Sequence, residues 1–237
     1  MKLGKRLQAV LDVIDEGSSV CDVGCDHGKL CVQGLVTGKL SRALCIDISE
    51  KSLDKARKLA EEYGVENISF CVSDGLTAEE LNSRLTERCD VDGLTAEELS
   101  ELADTLVIAG IGGYNIIDIL EGSKYTFSKY IFVPHQDSTK LREYLMKKYE
   151  IISDICVQER KFYDIIVCRE GVSHLTPIEI EHGKNEVSGD FHKKLLFLKE
   201  KYIRIDNEAV RDKLDTVLKL LGEKDRLDTV MELLGEE

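Results

Sequence analysis

The segment Asp22-Val23-Gly24-Cys25-Asp26-His27-Gly28 concentrates carboxylates, glycines and a histidine within one short stretch. Glycines let a backbone approach a ligand closely, and a helix starting just after them offers unpaired N–H groups. The spacing reads Asp-x-Gly-x-Asp-x-Gly, which differs from the G-x-G-x-x-G of a dinucleotide-binding turn. An acid ahead of the first glycine suits a cationic ligand and would repel a pyrophosphate. Asp22, Gly24 and Gly28 are therefore candidates for ligand binding. Asp47 follows about twenty residues later, where doubly wound nucleoside-binding folds place an acid for the ribose hydroxyls. Asp74-Gly75 and the run Gly110-Ile111-Gly112-Gly113 complete the set, the latter offering a flat backbone edge for a planar base. Each alone has a plainer reading, since acids cap strands and helices and glycines punctuate loops.

Asp26 and His27 could handle a proton or orient a substrate. Equally, Asp26 suits a left-handed turn and His27 could cap the next helix. Tyr114 could stack on a base, although a tyrosine opening a helix is often just partly buried.

These positions need a scaffold, and the hydrophobic pattern supplies one. Leu3, Leu7, Val10, Leu11 and Ile14 predict an opening amphipathic helix that ends near Gly17. Strands are expected over 19–23, 43–48, 67–72, 105–109 and 130–133, with helices over 27–36, 49–63, 114–120 and 138–147. Such alternation means a mostly parallel sheet covered by helices on both faces, a Rossmann-like doubly wound α/β fold. Two further strands, 151–157 and 162–168, are joined by Gln158-Glu159-Arg160-Lys161 and should add an antiparallel hairpin at one edge.

Domain limits are expected at 1–171 for the α/β domain, 172–189 for a polar linker and 190–237 for a helical tail. In the tail, Phe191, Leu195, Leu198, Tyr202, Ile205 and Ala209, then Val210, Leu214, Val217 and Leu221, step at coiled-coil-like spacing. A long helix or helical hairpin fits this pattern. Its cations, Lys193, Lys194, Lys199, Lys201, Arg204, Arg211 and Lys213, are interspersed with acids, so the pattern reads as a solvated face or a dimer seam, and could grip a polyanion. Two duplications stand out. Asp74 to Leu81 recurs word for word at Asp92 to Leu99, and Lys213 to Glu223 recurs nearly unchanged at Arg226 to Glu236. Neither is long or numerous enough for a solenoid. The first copy of the Asp-Gly-Leu word directly follows a strand and is the favoured one.

The net charge of −13 argues against a nucleic-acid partner at first sight. Ten acids and two arginines lie between Asp74 and Asp104, however, so the rest of the chain is far closer to neutral and leaves room for a basic patch. No apolar run is long enough to span a bilayer and no signal core follows Met1, so no membrane partner and a cytoplasmic location are expected. Among the eight cysteines, Cys45, Cys71, Cys156 and Cys168 fall in β-like runs and read as core. Cys21, Cys25 and Cys31 match no structural zinc or ferredoxin spacing, so no metal is expected.

The loop at Asp22 to Gly28 resembles the first motif of S-adenosylmethionine-dependent methyltransferases, in which the acid helps hold the amino-acid end of the cofactor. Taken with Ser73-Asp74-Gly75-Leu76, Ile108-Ala109-Gly110-Ile111-Gly112-Gly113, the Pro134 segment followed by Leu141-Arg142, and Tyr163-Asp164-Ile165-Ile166, it is similar to the bacterial tRNA (adenine-22-N1)-methyltransferase family. The similarity runs from about Leu3 to Gly171, and the tail resembles that family's C-terminal domain. Departures are the second Asp-Gly-Leu copy, Ile111 where methionine is usual, and the doubled tail. The resemblance implies S-adenosyl-L-methionine as cofactor, held by Asp22, Gly24, Gly28, Asp47, Asp74, Gly75 and Gly110. It implies tRNA as substrate, with Gly112, Gly113 and Tyr114 at the base and Asp26 and His27 as candidate catalytic groups. A homodimer through the C-terminal helices is a further expectation. A small-molecule methyltransferase and a non-catalytic nucleotide-binding protein are the rival readings.

Overall fold

The computed structural model describes residues 1–76, 103–184, 189–205 and 207–222. The second Asp-Gly-Leu copy, Cys89 and the second tail copy lie outside them. The chain divides into two compact units, Met1–Lys184 and Asn185–Glu237.

In the first unit the elements run α1 (Lys5–Val13), β1 (Ser18–Val23), α2 (Lys29–Val36), β2 (Leu40–Asp47), α3 (Glu50–Glu62), β3 (Ile68–Val72), β4 (Thr105–Ala109), α4 (Gly113–Gly122), β5 (Lys129–Val133), α5 (Ser138–Lys148), β6 (Tyr149–Gln158), β7 (Phe162–Glu170) and α6 (Pro177–His182). The strands form one sheet in the order β3-β2-β1-β4-β5-β7-β6. All pairings from β3 to β5 are parallel, while β7 runs antiparallel to both β5 and β6. This is the expected mostly parallel sheet with an antiparallel edge hairpin. Three residues between β6 and β7 allow only a reversal, because a parallel return needs a crossover of a dozen residues or more.

Strand residues alternate between two cores. Cys21, Val23, Leu44, Ile46, Leu106 and Ile108 face α4 and α5 through Ile116, Leu120, Leu141 and Leu145. Val20, Ala43, Cys45, Val107 and Ile131 face α1, α2 and α3 through Val10, Leu11, Leu30, Val32, Leu53 and Ala56. Burial of both sheet faces explains why these strands read as apolar runs rather than alternating ones. Seven of the cysteines, Cys21, Cys25, Cys31, Cys45, Cys71, Cys156 and Cys168, are buried free thiols. Burial pushes the Cys21 thiol well above its ordinary range, which keeps it protonated.

Two departures from the sequence expectations have local causes. The helix after the glycine loop begins at Lys29 rather than His27, because Asp26 and Gly28 take left-handed backbone angles and Gly28 is the residue ahead of the first turn. His27 therefore does not cap it. Within the polar stretch after Gly171, α6 forms with Thr176 and Glu179 in a capping box and Pro177 in its first turn.

The sheet bottom is tied by Asp104, whose carboxylate accepts from the Ser19 backbone N–H at 2.9 Å and from Ser19 Oγ at 3.0 Å. Its edge is tied by Arg142 on α5. The guanidinium is fully buried, and its Nε and Nη2 reach the two oxygens of Asp154 on β6 at 2.7 and 3.0 Å. Nη2 also lies 3.1 Å from Asp164 on β7.

In the second unit, α7 (Gly189–Ile203) and α8 (Glu208–Leu220) pack against each other as a helical hairpin, burying Phe191 and Leu195 of α7 and Val217 and Leu218 of α8. The break between them falls after Ile203, so the hairpin form of the two expectations is the one adopted. Among the described residues no helix is long and apolar enough to cross a membrane.

Candidate active site

The chain leaves β1 to one side for β2 and β3 and returns on the other side for β4, so the carboxyl ends of β1 and β4 diverge. A switch of this kind opens a crevice where ligands bind in doubly wound sheets. A cavity of about 640 Å³ lies there, lined from the strand ends by Asp22, Gly24, Asp26, His27, Asp47, Asp74 and Gly110. Its size falls within the roughly 300–1,000 Å³ of small-molecule and cofactor sites.

The glycine loop is built by backbone geometry. Gly24, Asp26 and Gly28 have φ of 76°, 52° and 65°, the left-handed region that glycine enters freely and aspartate tolerates. The N–H groups of Gly24 and Cys25 donate to the Ile46 carbonyl of the neighbouring strand at 2.8 and 3.1 Å. At Gly28 the loop crosses α3 so closely that a Cβ would stand 2.8 Å from the Ala56 methyl. Asp47 then locks the loop from β2. One carboxylate oxygen accepts from the Asp26 N–H and the other from the Ser49 N–H, both at 2.9 Å.

Asp22 differs from its neighbours in being only 4 % exposed. Burial raises its carboxyl to about 7, a donated hydrogen bond from Cys31 Sγ at 3.7 Å opposes the shift, and the charge of Asp47 adds to it. A carboxylate so placed gains from a cation that enters the cavity. On the rim, His27 Nδ1 lies 3.0 Å from Asp26 Oδ2, and its Nε2 lies 2.9 Å from Lys55 Nζ. An ammonium can only donate, so Nε2 accepts and the proton sits on Nδ1, pointing at Asp26.

The structure brings together seven of the candidate residues and leaves five outside the cavity lining. Gly28 and Gly75 support the loops from behind. Gly112 precedes α4 and has room for a Cβ beside the Gln136 side chain, whereas Gly113 packs where a Cβ would stand 2.6 Å from the Asp137 carbonyl oxygen, so close packing of backbone accounts for Gly113 alone. Tyr114 is 54 % exposed on the first turn of α4. Sequence reasoning missed Arg6, Ile48, Asn115, Asp118 and Ile119, which also line the cavity. Ile48 is 71 % exposed directly after β2, and an exposed isoleucine following a strand-end acid was the one signal available. The others come from α1 and α4, whose approach to the crevice no local pattern announces.

A parallel sheet with a reversed last strand, a glycine turn after the first strand and acids at three adjacent strand ends together define a Rossmann-like methyltransferase architecture. The chain belongs to the methyltransferase domain family, whose model matches residues 3–166. Among curated relatives it is 29 % identical over 177 residues to the tRNA (adenine(22)-N(1))-methyltransferase of Bacillus subtilis, a match covering 72 % of this chain and 66 % of the relative. Among solved structures it is similar to Sp1610 of Streptococcus pneumoniae in complex with S-adenosyl-L-methionine, with a TM-score of 0.78 at 25 % identity, covering 93 % of this chain and 100 % of the other. TrmK of M. capricolum, solved with S-adenosyl-homocysteine, shares the fold at a TM-score of 0.70 and 20 % identity, covering 94 % of this chain and 99 % of the other.

Proposed function

We propose that this chain is a cytoplasmic enzyme that transfers a methyl group from S-adenosyl-L-methionine to N1 of adenosine 22 in tRNA. The observation that carries the reading is the convergence of Asp22, Asp47 and Asp74, from the ends of three adjacent strands, on one cavity beside Gly24. The donor set fits the cofactor. Asp22 is a buried carboxylate suited to its ammonium group, and each Asp47 oxygen retains a lone pair for a ribose hydroxyl. Asp74 stands ready for the adenine amino group, with Ile48 offering an apolar surface to the ring. The cradle at Gly28, which a Cβ would fill, keeps the loop close to α3, while Gly75 and Gly110 complete the turns around the ligand.

When bound, S-adenosyl-L-methionine supplies an electrophilic methyl group. N1 of adenine carries an in-plane lone pair, so the protein's task is orientation more than strong base catalysis. The backbone at Gly112 and Gly113 and the exposed ring of Tyr114 receive the base. Asp26, its carboxylate aligned by the Nδ1–H of His27, takes the N6 proton or faces the positive charge that N1 acquires. Reaching the Watson–Crick edge of a base in folded tRNA requires that base to be opened or flipped. The helical hairpin serves as an RNA grip or a homodimer seam. Its Lys193 is held by Asp190 at 3.1 Å, as a mixed-charge face would have it.

The test is incubation with unmodified tRNA and labelled cofactor, followed by nucleoside analysis. Label in 1-methyladenosine at position 22 is expected. Label at another nucleoside, transfer to small molecules alone, or no transfer by folded protein ends the reading.

The ionisation of Asp22 adds a second expectation. Because its carboxyl titrates near 7 in the free protein, cofactor affinity should be flat above that pH and fall about tenfold per unit below it. A raised folded-state value also means that this group favours folding below its ordinary value, near 3.8, and loses that contribution as pH rises through 7. The free protein should therefore lose stability over the range in which cofactor affinity rises. Calorimetric titration from pH 5.5 to 8.5 checks the first trend, and Asp22→Asn should flatten it. A wild-type affinity independent of pH over that range would remove Asp22 from the ammonium site.

A further inference from the structure

Beside the cavity, Arg6 of α1 and Lys161 of the β6–β7 turn share the ring of Tyr163, each cationic group 5.1 Å from its centroid. Arg6 lines the cavity beside Gly110, where a Cβ would lie 3.6 Å from its Nη1. Its Nε is buried and, among the described residues, has no hydrogen-bond partner. Among the described residues Lys161 Nζ donates to the His135 carbonyl, at 2.6 Å. Among the described residues neither cation has a carboxylate partner. Glu159, the acid of the same turn, lies instead against Gly4, where a Cβ would collide with it.

Two neighbouring cations without a counter-charge oppose each other, and both burial and Arg6 lower the Lys161 ammonium below its ordinary value. Such an arrangement is costly unless an anion completes it. Tyr163 holds the pair together by presenting its ring to both charges, a contact that leaves their N–H groups free to donate elsewhere. The guanidinium and ammonium together match an oxygen-rich anion that accepts several hydrogen bonds.

We propose that Arg6 and Lys161 form a seat for a backbone phosphate of the RNA next to the nucleotide that is methylated. The inference rests on the RNA reading above and deepens it. The seat flanks Gly110 and the start of α4, where the base enters, so a phosphate held there fixes the register of the strand relative to the cavity. Phosphate contacts position without reading sequence, and this one sets which nucleotide reaches the methyl group.

Binding of wild-type, Arg6→Gln, Arg6→Lys and Lys161→Gln proteins to unmodified tRNA is measured across a salt series, together with cofactor affinity and thermal melting. Each neutral substitution should weaken tRNA binding about tenfold near physiological salt and lower the slope of log K against log salt by about one. Arg6→Lys should restore the slope, and cofactor affinity should not change in Lys161→Gln, whose side chain lies outside the cavity lining. A role limited to packing would leave the slope untouched, so wild-type slopes in folded variants overturn the seat. Loss of cofactor affinity with intact tRNA binding overturns it as well, and assigns Arg6 to the carboxylate of the cofactor. The two readings fail separately. Wild-type protein that binds tRNA through these residues without methylating it keeps the seat and removes the enzyme, whereas methylation unaffected by either substitution does the reverse. Wild-type protein with no tRNA affinity removes both.

Discussion

Asp47→Ala should weaken S-adenosyl-L-methionine binding by at least about 100-fold while leaving the sheet folded. The side chain does two jobs. Its oxygens anchor the Asp26 and Ser49 N–H groups, which fixes the glycine loop against the start of α3. Their remaining lone pairs serve the ribose in the proposed complex. Hydrogen bonds to a charged group contribute roughly 1.5–3 kcal/mol each, so losing two gives the size of the effect. Asp47 is half-exposed at the end of its strand, and the freed N–H groups can be solvated, so the melting temperature should move by only a few degrees. Asp47→Asn should fall between, since one amide oxygen can still accept while the NH2 opposes a backbone N–H. Calorimetric titration reads both. An Asp47→Ala protein that binds the cofactor within threefold of wild type would show that the ribose lies elsewhere.

The largest effect on stability should come from Arg142→Met. Its guanidinium joins α5 to both strands of the edge hairpin through Asp154 and Asp164, and none of the three is more than 7 % exposed. A charge pair taken out of water contributes little net stability when intact, yet removing one partner leaves the other charged and unsolvated, at a cost of about 3–5 kcal/mol. Here two carboxylates lose their cation together. Among the described residues Asp154 keeps only the Lys184 N–H at 3.2 Å, so unfolding by denaturant should shift by at least that amount. Adding Asp154→Asn to Arg142→Met should recover part of the loss, because one buried charge is then gone. If the single variant melted like wild type, the triad would be a consequence of the fold rather than a support for it.

The same residues show how far the sequence reaches. Leu141-Arg142 and Tyr163-Asp164-Ile165-Ile166 stood out separately as motifs, and nothing in their spacing said that the arginine and the aspartate would meet. Asp154 drew no attention at all. The glycine loop was legible because its chemistry is local: left-handed angles at Gly24, Asp26 and Gly28 require residue types that can be read one at a time. The mostly parallel sheet and its antiparallel edge hairpin were legible for a related reason, since segment lengths and the short connection before β7 restrict how consecutive strands can pair. Helix limits drifted by a few residues, as at α1, which ends at Val13 rather than near Gly17, and at Lys29, where the left-handed angles of Asp26 and Gly28 delay the start of α2.

By itself, then, the sequence determined the doubly wound sheet with its reversed edge, the glycine turn after the first strand, and the placement of Asp47 and Asp74 at or just past strand ends. The tertiary structure alone decided that Gly113 serves close packing, that Tyr114 faces outward, that Asp22 is buried enough to titrate near neutrality, and that Arg6, Asn115 and Asp118 reach the cavity. The division follows from range. Backbone preference and hydrophobic period act between residues a few positions apart, whereas burial, charge pairing and cavity lining depend on segments that meet only after the sheet has formed.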